Sequence, residues 1–119
     1  MTVKLSDLVD ILDAEIIVGH ENTDLSFDFC TASDLMSDVL RGPTEGSILI
    51  TGLNNTQVIR ASVIAHVAAI VLVRKKRPNE DLVIGAKEHD IPVLRTPLTM
   101  FTVCGKLSRM GLRGVEERV

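Results

Sequence analysis

The chain has 119 residues, 45% hydrophobic and 24% charged, with a formal net charge of −3 at pH 7. That balance excludes a disordered chain, and it gives no general attraction to nucleic acid or an anionic membrane. One domain is expected, because a chain of this length buries roughly two-thirds of its unfolded surface and needs no disulfide or metal to fold.

Ser6 is placed to cap a first helix over residues 7–12, with Asp7 in the turn where the helix dipole favours an acid. Glu15 to Val18 then reads as a short strand ended by Gly19, and His20 to Asp24 as a polar turn. Leu25 to Cys30 alternates apolar and polar residues, which predicts one half-buried strand. Ser33-Asp34 should open a second helix, with Leu35, Met36, Val39 and Leu40 on one face and Gly42-Pro43 as its stop.

From here a strand–helix unit repeats. The aliphatic runs Ser47–Thr51, Ala69–Val73 and Ile91–Leu94 alternate with helices capped at Asn55 or Thr56 and at Asn79. A last helix is expected from Pro97 to Arg109, with Gly111 ending it. Residues 1–112 should therefore form the domain, and residues 113–119 a tail without pattern that frays.

Buried-type strands alternating with helices indicate an α/β fold, a three-layer α/β/α sandwich around a mainly parallel sheet. In such sheets the loops leaving the strands' carboxyl ends share one rim, where ligands usually sit. Those loops hold Asn54, Asn55, Thr56 and Gln57, then Arg74, Lys75, Lys76 and Arg77, and finally Arg95 and Thr96. Asn and Thr at a helix start also serve as ordinary turn and capping residues. Four consecutive cations ahead of a helix start would suit phosphate, a carboxylate metabolite or an acidic segment, but solvated charge runs are common.

Reactive motifs are missing. His20, His66 and His89 stand at no metal-ligand spacing, and His66 reads as a core or capping residue. There is no G-x-S-x-G elbow and no Gly-rich phosphate loop. Cys30 and Cys104 are far apart, and Cys104 reads as a small buried hydrophobe. Three Phe, with no Tyr or Trp, leave little for base-stacking surfaces. No signal peptide precedes Met1-Thr2-Val3-Lys4, and the apolar stretch Ala61–Val73 is too short to span a bilayer, so the expected compartment is the cytoplasm.

Ala32-Ser33-Asp34-Leu35-Met36-Ser37-Asp38-Val39, the segment Ile48 to Gln57, and Asp90 to Thr96 together resemble the DRTGG domain over nearly the whole chain. The last segment and Val3 to Val9 are also similar to the related N-terminal domain of HPr kinase/phosphorylase. Two departures stand out. Asn54-Asn55-Thr56 occupies the place of an Asp-Arg-Thr sequence, and the run Arg74 to Arg77 falls where a Gly-Gly pair commonly follows the strand.

The resemblance implies a non-catalytic regulatory unit, as in pyrophosphatases with CBS domains and phosphate acetyltransferases, where this domain serves regulation or dimerisation. The expectation is a homodimer without cofactor that senses an anionic small molecule, a nucleotide or phosphorylated metabolite, or a protein partner, at its rim. Segment 33–39 looks more like small stand-alone members associated with iron-only hydrogenase gene clusters, which gives an alternative as an accessory to such an enzyme. A small enzyme acting on a phosphorylated substrate through Asn54, Thr56 and the basic loop is the remaining alternative.

Overall fold

A computed structural model describes residues 2–118. Its elements run in the order β1 (Val3–Lys4), α1 (Leu5–Leu12), β2 (Glu15–Val18), β3 (Ser26–Phe27), β4 (Phe29–Ala32), α2 (Met36–Arg41) and β5 (Ile48–Thr51). Then come α3 (Thr56–Ile64), β6 (Ala69–Leu72), α4 (Glu80–Glu88), β7 (Val93–Arg95), α5 (Met100–Arg109), β8 (Arg113–Gly114) and a 3₁₀ turn at Val115–Glu117.

The main sheet has six strands in the order β2-β7-β6-β5-β4-β8. β4 to β8, β5, β6 and β7 pair in parallel, and β2 joins the β7 edge antiparallel with a bulge between Ile16 and Val18. Every residue of β5 and β6 is buried, which is why those segments are aliphatic throughout rather than alternating. Their side chains divide by parity. Ile48, Ile50, Ala69, Val71 and Leu94 pack with Leu5, Leu8 and Leu12 of α1 and Val103 and Leu107 of α5. Leu49, Ile70, Leu72 and Val93 pack with Met36, Val39, Val58, Leu82 and Ala86 of α2, α3 and α4. This is the expected three-layer α/β/α arrangement.

Several local expectations change. α1 starts at Leu5 after Lys4, so Ser6 lies inside the helix and does not cap it. Its first amides are satisfied otherwise: Leu5 N–H donates to Leu25 O at 2.8 Å and Ser6 N–H to Thr23 O at 3.2 Å. The Asp7 carboxylate accepts from Lys4 N–H at 2.9 Å. The single strand expected over 25–30 breaks at Asp28. β3 pairs with β1 in a separate two-stranded sheet, and β4 enters the main sheet. α2 begins at Met36, and Asp34 bonds to the end of the adjacent strand β5 rather than starting the helix. On α2, Met36 and Val39 are buried, whereas Leu35 and Leu40 beside them are exposed.

The tail also differs from expectation. Arg113 and Gly114 extend the sheet beside β4, and Val115 is buried. The Arg113 and Arg118 guanidinium groups lie 4.9 and 4.6 Å from the Phe29 ring centroid. Arg118 also donates to the carbonyls of Pro43 and Glu45. Two cation–π contacts at about 0.5–1 kcal/mol each, with burial of a valine at about 1.5 kcal/mol or more, make this segment part of the folded unit. Residue 119 lies outside the described residues. Removing residues 113–119 is expected to lower unfolding stability by about 2 kcal/mol in urea denaturation, and an unchanged midpoint would show that the edge contributes nothing.

Candidate functional site

The carboxyl ends of β4, β5, β6 and β7 deliver four segments to one rim: 33–35, 52–55, 73–79 and 96–99. Backbone hydrogen bonds tie them together. Val73 N–H donates to Thr51 O at 3.1 Å, Arg74 N–H to Leu98 O at 2.8 Å, and Lys75 N–H to Thr96 O at 2.8 Å.

Arg74 and Lys75 are both left-handed, with φ of 58° and 59°. Lys76 N–H closes the turn on Val73 O at 3.1 Å. A tight turn with two successive positive φ values favours Asn and Gly. An ordinary L-residue there costs about 1–2 kcal/mol, so the Gly-Gly pair expected from the resemblance would be relaxed here. This chain instead holds two cations. Among the described residues, Arg74, Lys75, Lys76 and Arg77 are exposed and make no ion pair.

The Asp34 carboxylate joins two of the strand ends. Its Oδ1 accepts from Gly52 N–H at 2.7 Å and from Thr51 Oγ1 at 3.0 Å. A Cβ on Gly52 would lie 3.3 Å from an Arg74 guanidinium nitrogen and 3.4 Å from Asp34 Oδ1. The bare glycine thus makes room for an acid and a base over the same backbone.

The other expected site residues fall into two groups. Lys75 and Arg95 line one cleft of about 330 Å³, with Asp13, Glu15 and Pro97. Arg95 also meets Glu15 at 3.4 Å, a partly exposed pair worth little on its own. Asn54, Asn55 and Thr96 are instead engaged in holding the rim. Asn54 donates its side-chain amide to Arg77 O at 2.7 Å, and its backbone carbonyl accepts from Asn79 N–H at 3.0 Å. Asn55 caps α3 by accepting from Gln57 N–H at 3.1 Å. Thr56 is half-buried and Gln57 exposed in that helix's first turn.

Thr96 is a correction. It is fully buried, and its hydroxyl donates to Leu12 O while accepting from Leu98 N–H. The first bond fixes α1 against the strand end and the second closes the local turn, and full burial closes the side chain to a ligand.

Sequence reasoning missed Asp34 and Phe101. Asp34, Val73, Arg74, Thr99, Met100 and Phe101 line a second rim cleft of about 350 Å³. In the sequence Asp34 stands as a helix opener, and Phe101 is simply one position of the helix expected from Pro97 to Arg109. A signal was present for Phe101: it lies off the stripe that Val103 and Leu107 define.

Elsewhere the groups have structural surroundings. Burial pushes the Cys30 thiol up to about 11, with Cys104 and Glu116 adding to the effect. Burial also raises Cys104. Both are protonated near neutral pH, whereas thiolate is the nucleophilic form. His66 is exposed and left-handed in the turn after α3, not a core residue, and its carbonyl accepts from Gly46 N–H at 2.8 Å. Among the described residues no cluster of three or more His, Cys, Asp or Glu could hold a metal. No helix there is long and apolar enough to cross a membrane.

No curated protein matches the chain. Among solved structures, it is similar to the crystal structure of the CBS and DRTGG domains of the regulatory region of Clostridium perfringens pyrophosphatase, complexed with the activator diadenosine tetraphosphate. The identity is 20% and the TM-score 0.73, over 87% of this chain and 45% of that one. The present chain thus spans less than half of that regulatory region, and the likeness is one of fold. The profile of the DRTGG domain matches residues 7–110, which include every strand of the main sheet except β8. The chain belongs to the DRTGG domain family.

Proposed function

We propose that this chain is a non-catalytic regulatory module that takes an anionic small molecule, a nucleotide or phosphorylated metabolite, at the carboxyl-end rim of its sheet. The observation that carries this reading is the turn at Arg74-Lys75. Strained backbone held by its surroundings is a pointer to function. Here two residues occupy a conformation that glycine would adopt freely, and both present positive charge to solvent. Arg95 adds a third cation beside Lys75. The similar pyrophosphatase region is regulatory and was solved with a nucleotide activator, which supports ligand sensing as the role.

The module self-associates through the outer surface of its helical layer. Leu35, Leu40, Ile64 and Ile84 are 57%, 47%, 67% and 47% exposed on or beside α2, α3 and α4. Large apolar side chains gathered on one layer favour a partner surface over water, and a symmetric pair would bury the same patch on both copies.

Two measurements test the proposal. Lys75→Gly is expected to keep or raise the urea midpoint, since glycine relieves the left-handed strain. It should also weaken binding of inorganic pyrophosphate about tenfold through loss of one charge-assisted contact. A variant that is less stable and binds pyrophosphate as well as the parent would contradict the reading. Sedimentation equilibrium at micromolar concentration should give twice the chain mass, falling toward the single chain in Ile64→Glu; a parent that sediments as a monomer would remove the self-association claim.

A further inference from the structure

Phe101 is 88% exposed, the highest value for a large hydrophobic side chain among the described residues. α5 buries Val103 and Leu107. Two residues along a helix is a rotation of about 200°, so Phe101 points away from the stripe the core uses. By composition alone, three Phe with no Tyr or Trp disfavour base stacking. The structure places one of three phenylalanines in solvent at the rim, where it borders the Asp34–Arg74 cleft.

That cleft presents three kinds of recognition side by side. The Phe101 ring offers a flat apolar face, flanked by Met100. Arg74 brings a guanidinium with no ion-pair partner among the described residues. Asp34 Oδ1 is occupied by Gly52 N–H and Thr51 Oγ1, while Oδ2 receives no hydrogen bond within the described residues. A carboxylate oxygen held in this way accepts from hydroxyl groups and disfavours a second anion, which sets the direction of a ligand across the cleft.

We infer that the Asp34–Arg74–Phe101 cleft is the base- and sugar-binding half of a nucleotide site. This inference rests on the anionic-ligand reading of the rim and narrows its ligand to a nucleotide. The base stacks on Phe101, a sugar hydroxyl donates to Asp34 Oδ2, and the first phosphate meets Arg74. Lys75, next along the same turn, faces the neighbouring cleft with Arg95 and receives the following phosphate. A phosphorylated sugar without a base would use Asp34 and Arg74 and leave Phe101 unstacked.

Isothermal titration of the full chain with ADP, adenosine and ribose 5-phosphate tests this. ADP should bind at least about tenfold more tightly than either fragment, because adenosine lacks both phosphates and ribose 5-phosphate lacks the base and the second phosphate. Phe101→Ala should weaken ADP about tenfold by loss of stacking and leave ribose 5-phosphate unchanged. Phe101→Leu, which keeps apolar bulk without the ring, should also lose affinity for ADP. Both variants should unfold at the parental temperature, since the side chain is exposed. Equal affinity for ADP and ribose 5-phosphate, with no effect of Phe101→Ala, would overturn the base subsite and leave the anionic rim standing. Absence of binding by all three probes, and by inorganic pyrophosphate, would overturn both. A Phe101→Ala variant that loses self-association but keeps its ADP affinity would identify Phe101 as a contact between copies and overturn the inference.

Discussion

The rim of this molecule depends on the tight turn that follows β6. Two successive residues turn left-handed there, and their amide hydrogens are taken by Leu98 and Thr96 carbonyls of the next crossover. Those bonds hold the β6 and β7 loops together, while the Val73 amide reaches the end of β5. The strain of about 1–2 kcal/mol per residue is offset by this local network. Its consequence is that Arg74 and Lys75, adjacent in sequence, border two different clefts.

The main architecture was legible because β5 and β6 are buried on both faces. Such strands must be aliphatic at every position, and Ile48-Leu49-Ile50 and Ala69-Ile70-Val71-Leu72 are. Less visible were features that depend on distant partners. Leu25 to Cys30 alternates like one strand, but Phe27 pairs with Val3 while Cys30 pairs with Ile48, so the chain must break between sheets. Ser6 has the composition of a cap, yet the Thr23 carbonyl already satisfies its own amide. The tail lacks periodicity because its anchoring comes from Phe29, far back in the chain.

The candidate site was legible by location more than by role. Strand–helix alternation placed Asn54, Lys75 and Arg95 in loops of one rim. It could not distinguish side chains that face solvent from those that brace the loops. Asn54 and Asn55 act in bracing and capping, and Thr96 is enclosed. Asp34 was hidden because an acid after serine also opens helices, and only the parallel pairing of β4 with β5 brings it to Gly52. The Gly-Gly expectation from the family resemblance acquires a physical reason here: the turn after β6 calls for positive φ.

A module of the proposed regulatory kind needs no reactive group. It needs a surface whose charge and shape change when a ligand is bound, connected to elements that meet a partner. The rim loops lead directly into α2, α3, α4 and α5, and the outer faces of three of these carry or adjoin exposed aliphatic side chains. The most direct measurement is a nitrogen–proton correlation spectrum of the labelled chain, recorded during titration with ADP. Amide shifts confined to segments 33–35, 52–57, 73–79 and 95–102, with none at the opposite end of the sheet, are the predicted result. Shifts centred on the amino-end turns around His66 and His89, or none at saturating ADP, would contradict the account.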